Sequence, residues 1–128
     1  MPIKIIEPKN APKPLAPYSY AVQAGKTIYV SGMLPVGQNS ETVFPGDIKA
    51  QTKYILEKIE ETLSAAGACL SDIVFNQIFI KKPEYYDAFN KVYEEFFPSA
   101  APARYCVCTD LVRPDFLVEI AATAYIKE

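Results

Sequence analysis

Between Leu117 and Ile126 the chain alternates with the two-residue period of a β-strand, and both alternating sets are apolar. Val118, Ile120, Ala122 and Ala124 make one set, and Ala121, Thr123 and Tyr125 the other. A strand of that kind needs cover on both faces. The run Ile73-Val-Phe-Asn-Gln-Ile-Phe-Ile80 has the same character, being β-branched, aromatic and too short for a helix. Helical period occurs in two stretches only. From Asp47, Ile48, Thr52, Ile55, Leu56, Ile59, Leu63 and Ala66 recur at steps of three and four, with Asp47 where an N-cap belongs and Gly67 where a C′ glycine belongs. Pro83 opens the second stretch at its N1 position; Tyr85, Phe89, Val92, Tyr93 and Phe96 form its stripe, and Pro98 ends it. Two helices cover one side of a sheet, so the other apolar side calls for a second copy of the chain.

The remaining elements follow from local signals. Five of the 11 prolines lie in the first 17 residues, which predicts an extended arm over 1–18. Tyr20 to Gln23 and Thr27 to Met33 read as a hairpin around Ala24-Gly25-Lys26, and Gly37 to Gly46 as a polar loop. Arg104 to Thr109 and Leu117 to Ile126 read as two further strands. The order β-β-α-β-α-β-β predicts an α+β fold, a single domain over 1–128 with both helices on one face of the sheet.

Composition removes much chemistry. Histidine is absent, which excludes Ser-His-Asp and Cys-His relays, histidine metal sites and a histidine pH switch. A net charge of −2 gives no positive field for nucleic acid, and no apolar run approaches the roughly 20 residues of a membrane span. Met1-Pro-Ile-Lys starts no secretory signal, and three cysteines, Cys69, Cys106 and Cys108, fit a reduced, cytoplasmic protein. Eleven of the 13 basic residues are lysines; the arginines are Arg104 and Arg113.

Arg104 and Glu119 interrupt two apolar strands. A hairpin centred between Val112 and Arg113 would set Cys106 opposite Glu119, with Arg104 diagonal to it on the same face. Residue types alone leave open a buried ion pair that fixes register and a functional site. Cys106 and Cys108 read as small buried residues, because zinc needs more ligands than one further cysteine supplies. Tyr18 and Ser31-Gly32 read as turn and packing residues, and Glu57, Glu60, Glu61, Glu94 and Glu95 as solvated helix faces.

Ala16-Pro-Tyr-Ser19, Tyr29-Val-Ser-Gly32, Ala101-Pro-Ala-Arg-Tyr-Cys106 and Leu117-Val-Glu-Ile120, in that order, resemble the reactive-intermediate deaminase family, also called Rid or YjgF. The resemblance implies a chorismate-mutase-like fold, a homotrimer and ligand clefts between subunits. It implies that Arg104 grips a small carboxylate substrate and that Glu119 holds the attacking water. Cys106 would meet the ligand through its backbone, and Tyr18, Ser31, Gly32 and Asn90 would line the cleft. The implied reaction hydrolyses an enamino acid, 3-aminoacrylate or 2-aminoacrylate, through its imine to a carbonyl acid and ammonia, without metal or cofactor. Phe75 to Ile80, Glu95-Phe-Phe-Pro98 and Arg104 to Ala121 are similar to the 3-aminoacrylate deaminases of pyrimidine degradation. Leu111-Val112-Arg113-Pro114, in place of the commoner Leu-Pro pair, and Phe75-Asn76 turn the expectation away from 2-aminoacrylate. Two other classes stay open: a non-catalytic module that binds small carboxylates in the same cleft, and a ribonuclease, which the acidic balance disfavours.

Overall fold

The computed structural model describes residues 3–127, so the first two residues of the expected arm lie outside the described residues. Six strands form: β1 (Lys4–Ile6), β2 (Ala21–Ala24), β3 (Thr27–Met33), β4 (Ile73–Ile80), β5 (Ala103–Cys108) and β6 (Val118–Tyr125). They make one sheet in the order β1-β2-β3-β6-β4-β5, with β4 and β5 parallel and every other neighbouring pair antiparallel. The last strand in sequence is therefore central, which accounts for its two apolar faces. Val118, Ile120, Ala122 and Ala124 pack on the helix side, each 3% exposed or less.

Helix α1 (Ile48–Ser64) begins where Asp47 Oδ1 accepts the amide of Ala50 at 3.0 Å. It ends in a turn in which the amides of Ala66 and Ala68 both donate to the Leu63 carbonyl, while Gly67 takes φ 77°, a conformation costly for any residue with a Cβ. Helix α2 (Tyr86–Phe96) starts three residues after the expected site, because Pro83 opens a single 3-10 turn, Pro83–Tyr85, ahead of it. Both helices lie on one face of the sheet. Ile55, Leu56, Ile59 and Leu63 of α1 and Phe89 and Tyr93 of α2 close the core with Ile28, Ile78, Ile80 and Ile120. Truncating any one of these isoleucines to alanine costs about 2–5 kcal/mol. The opposite face keeps Tyr29, Tyr105, Val107 and Tyr125 between 41% and 52% exposed.

Two expectations are corrected. The order gains a strand at its start: within the extended arm, Lys4, Ile5 and Ile6 precede the proline cluster that begins at Pro8, so their amides are free to pair with β2 as an edge strand. The hairpin of β5 with β6 does not form, since β4 lies between them. Helix α2 returns the chain parallel to β4, which puts β5 at the sheet edge. The loop over residues 109–117 is long enough to cross two strand spacings of about 4.8 Å each.

A polar residue inside α1 holds that loop. Gln51 is fully buried; its Nε2 donates to the carbonyls of Val43 (3.1 Å) and Asp115 (3.0 Å), and its Oε1 accepts the Leu117 amide at 2.9 Å. Arg113 adds a tie to the other loop, donating from Nη1 to the Ser40 carbonyl at 2.8 Å. Among the described residues no helix is long and apolar enough to cross a membrane.

Candidate active site

Arg104 leaves β5 on the helix side, level with Asn76 of β4. Tyr86, Phe89, Asn90 and Tyr93 recur at helical spacing along α2 and so present one face to it. The guanidinium carbon stands 4.7 Å from the Tyr93 ring centroid, 5.8 Å from Phe89 and 5.9 Å from Tyr86. Its Nη2 donates to Asn90 Oδ1 at 2.8 Å and to the Tyr86 hydroxyl at 3.2 Å. These partners are all neutral. Among the described residues the Arg104 charge has no ion pair, so the cradle orients a planar cation without neutralising it. Cys106, two residues on and half-buried, sits on the same face. Burial pushes its thiol up from the ordinary value, the Arg104 charge pulls it down by less, and Cys108 pushes it up further. The thiol is protonated at neutral pH and is no ready nucleophile.

Glu119 lies on the other face of β6, opposite Phe79. Its carboxylate runs across Gly32: a Cβ at that glycine would stand 2.0 Å from Glu119 Oε2. Val30 pairs with Ala122 and Met33 with Ile120, so Ser31 and Gly32 together oppose a single residue, Ala121, in a β-bulge. The bulge bares the glycine backbone where the carboxylate passes. Phe79, Thr109, Asp110, Leu111 and Val112 wall an open hollow with Glu119. Glu119 has no hydrogen-bond or ion-pair partner among the described residues, and burial pushes its carboxyl above the usual range.

The residues singled out from sequence thus do not meet in one place. Arg104, Cys106 and Asn90 are together on the helix side at the sheet edge. Glu119 is on the other face against Gly32, and Ser31 and Tyr18 adjoin it only through that glycine. Ser31 Oγ donates to the Ser19 carbonyl at 2.6 Å, holding the segment before β2, while Tyr18 lines a hollow with Tyr20, Ser31, Gly32 and Lys58. The expectation that Arg104 and Glu119 share a face, diagonal across a hairpin, is corrected: β4 separates their strands, and the register puts them on opposite faces. An ion pair between them within one chain is thereby excluded. Sequence reasoning missed Tyr86 and Tyr93, the second because its place in an apolar stripe assigned it to the core alone. It also missed Asn76, a fully buried amide whose Nδ2 donates to the Tyr93 hydroxyl at 2.9 Å. Its Oδ1 is the buried side-chain atom left without a partner among the described residues, a vacancy that costs about 1–3 kcal/mol. The signal was a lone amide in an otherwise apolar strand.

The family pattern described as endoribonuclease L-PSP matches residues 8–126. The 3-aminoacrylate deaminase RutC of Acinetobacter baylyi is 49% identical over 126 residues, covering 98% of this chain and 100% of that protein. Among solved structures, a putative endoribonuclease of Thermotoga maritima superposes with a TM-score of 0.89 at 32% identity, over 98% of both chains. TdcF of E. coli with bound serine gives 0.87 at 31% identity, over 97% of this chain and 99% of that one. Sequence pattern and fold agree over almost the whole length, and the chain belongs to the endoribonuclease L-PSP family, the YjgF/Rid proteins.

Proposed function

We propose that the protein is an enamine/imine deaminase acting on a small enamino acid, 3-aminoacrylate before 2-aminoacrylate. The observation that carries this is the 49% identity with a 3-aminoacrylate deaminase from end to end of that protein. The geometry is in keeping with it. Arg104 binds the substrate carboxylate through its planar fork, which a lysine could not reproduce. The enamine takes a proton on carbon, loses one from nitrogen and becomes an imine. Water held by Glu119 then adds to the imine carbon, Glu119 passing one proton of that water to nitrogen; as the C–N bond breaks, Glu119 passes the remaining hydroxyl proton to the departing nitrogen and the carbonyl forms. Ammonia and a carbonyl acid leave. A carboxyl raised by burial suits this exchange better than an ordinary one, since its proton affinity lies closer to working pH. Positioning supplies the rest of the acceleration.

Arg104 and Glu119 stand on opposite faces of one sheet, so a single chain holds two halves of such a site. We take the whole site to be shared between neighbours of a homotrimer. The Arg104, Cys106 and Asn90 edge of one subunit faces the Glu119 and Gly32 side of the next, which Ser31 and Tyr18 adjoin through Gly32, and the exposed sheet face is buried between them. A place in pyrimidine degradation in the cytoplasm goes with this assignment. The test is ammonia release from 3-aminoacrylate generated in situ, with light scattering on the same sample. Turnover well above the spontaneous rate, slowed by Glu119→Gln, and a mass three times 14.2 kDa are expected. A monomer would overturn the shared site. Binding of malonate with no acceleration would make the protein a carboxylate-binding module.

A further inference from the structure

Beneath the Arg104 cradle lies a second layer built on Asn76. Asn76 and Arg104 are register partners on neighbouring strands, and their side chains leave the sheet on the same face. Arg104 rises toward α2, whereas Asn76 is wholly buried and reaches the Tyr93 hydroxyl at 2.9 Å. Tyr93 offers Arg104 the closest of its three rings, at 4.7 Å, and among the described residues has only this hydrogen bond to fix its far end. Its ring also packs on Phe89 and Phe97, with centroids 5.5 and 4.7 Å away. Those contacts are tilted and non-directional, whereas the amide adds one directional contact at the ring's hydroxyl. An apolar residue in this strand would complete the core without leaving Oδ1 unpaired, so packing gives no reason for an asparagine here.

We propose that Asn76 is a positioning residue: by anchoring the Tyr93 hydroxyl it fixes the platform on which the Arg104 guanidinium lies, and so sets the direction of the carboxylate clamp. This rests on Arg104 being the clamp. The ring platform orients ground state and transition state alike, because the carboxylate takes no part in bond making. Loss of the anchor therefore weakens binding and leaves the chemical step alone.

The variants Asn76→Leu, Tyr93→Phe and the double variant test it, with Arg104→Ala beside them. Each single change leaves one polar group buried alone, whereas the double change removes both and restores an apolar fit. Melting temperature, Kd for malonate by calorimetry, and KM and kcat for ammonia release are measured on all four. The double variant is expected to melt close to wild type, yet with Kd and KM raised roughly tenfold and kcat within twofold. If Kd and KM return to wild-type values together with the melting temperature, Asn76 is structural and the proposal fails. If Arg104→Ala itself leaves malonate binding intact, the clamp assignment fails instead, and the two failures are told apart.

Discussion

Arg104→Ala separates a ligand-binding arginine from one that merely holds the fold, and its cost can be worked from the cradle. The bond to Asn90 at 2.8 Å is half-buried and charge-assisted, for roughly 1 kcal/mol net; the exposed bond to Tyr86 at 3.2 Å adds a few tenths. The stack on Tyr93 at 4.7 Å adds about 0.5–1 kcal/mol. The total is about 2 kcal/mol, which at this chain length lowers the melting temperature by roughly 8 °C. A structural ion pair would cost about 3–5 kcal/mol, because its removal strands a buried charge. Here Asn90 and Tyr86 are neutral and reachable by water, so nothing charged is stranded. Malonate at a hundred times its Kd stabilises the wild type by about 2.7 kcal/mol and the alanine variant not at all. Arg104→Lys keeps the charge, melts near the wild type and also fails to respond, having lost the fork. Thermal melts with and without malonate read all three proteins. A loss of about 3–5 kcal/mol or more in Arg104→Ala, or equal malonate stabilisation of Arg104→Ala and wild type, would refute the reasoning.

Other perturbations follow from single contacts. Glu119→Gln is expected to raise the melting temperature at pH 7 to 8. The folded carboxyl, held above its unfolded value of about 4.3 by burial, contributes fully below that value and loses stability as pH rises through its raised one. The advantage of the amide should vanish near pH 4, and a pH-independent difference would contradict the desolvation. Gln51→Leu removes three hydrogen bonds and leaves the Leu117 amide buried and unpaired, so a loss of about 3 kcal/mol and faster hydrogen exchange at Leu117 are expected. Unchanged exchange there would show that the loop over 109–117 is held by other contacts. Cys106→Ser should keep most turnover, and the Cys106 thiol should alkylate at pH 7 more slowly than exposed Cys69. Abolished turnover in a folded Cys106→Ser protein would assign the thiol a chemical role.

Short-range physics made much of this protein legible in one dimension. Asp47 caps α1 and Gly67 turns the chain out of it because capping depends on a few neighbouring atoms, and the apolar periods of α1, α2, β4 and β6 record which faces are buried. The absence of histidine and the lone Arg104 in an apolar strand bounded the chemistry before any contact was known. Which strands are neighbours was not recorded. Alternation says that Arg104 and Cys106 share a face and that Glu119 faces away from Val118. It is silent on whether β5 and β6 touch, because any strand with the right face fits the same pattern. Tertiary structure decided that β6 inserts between β3 and β4 and that β5 runs parallel at the edge, which put Arg104 and Glu119 on opposite faces. It also decided that Tyr93, one more ring in an apolar stripe, carries both a guanidinium and a buried amide, since one side chain can serve core and cradle only where a helix and a sheet edge meet.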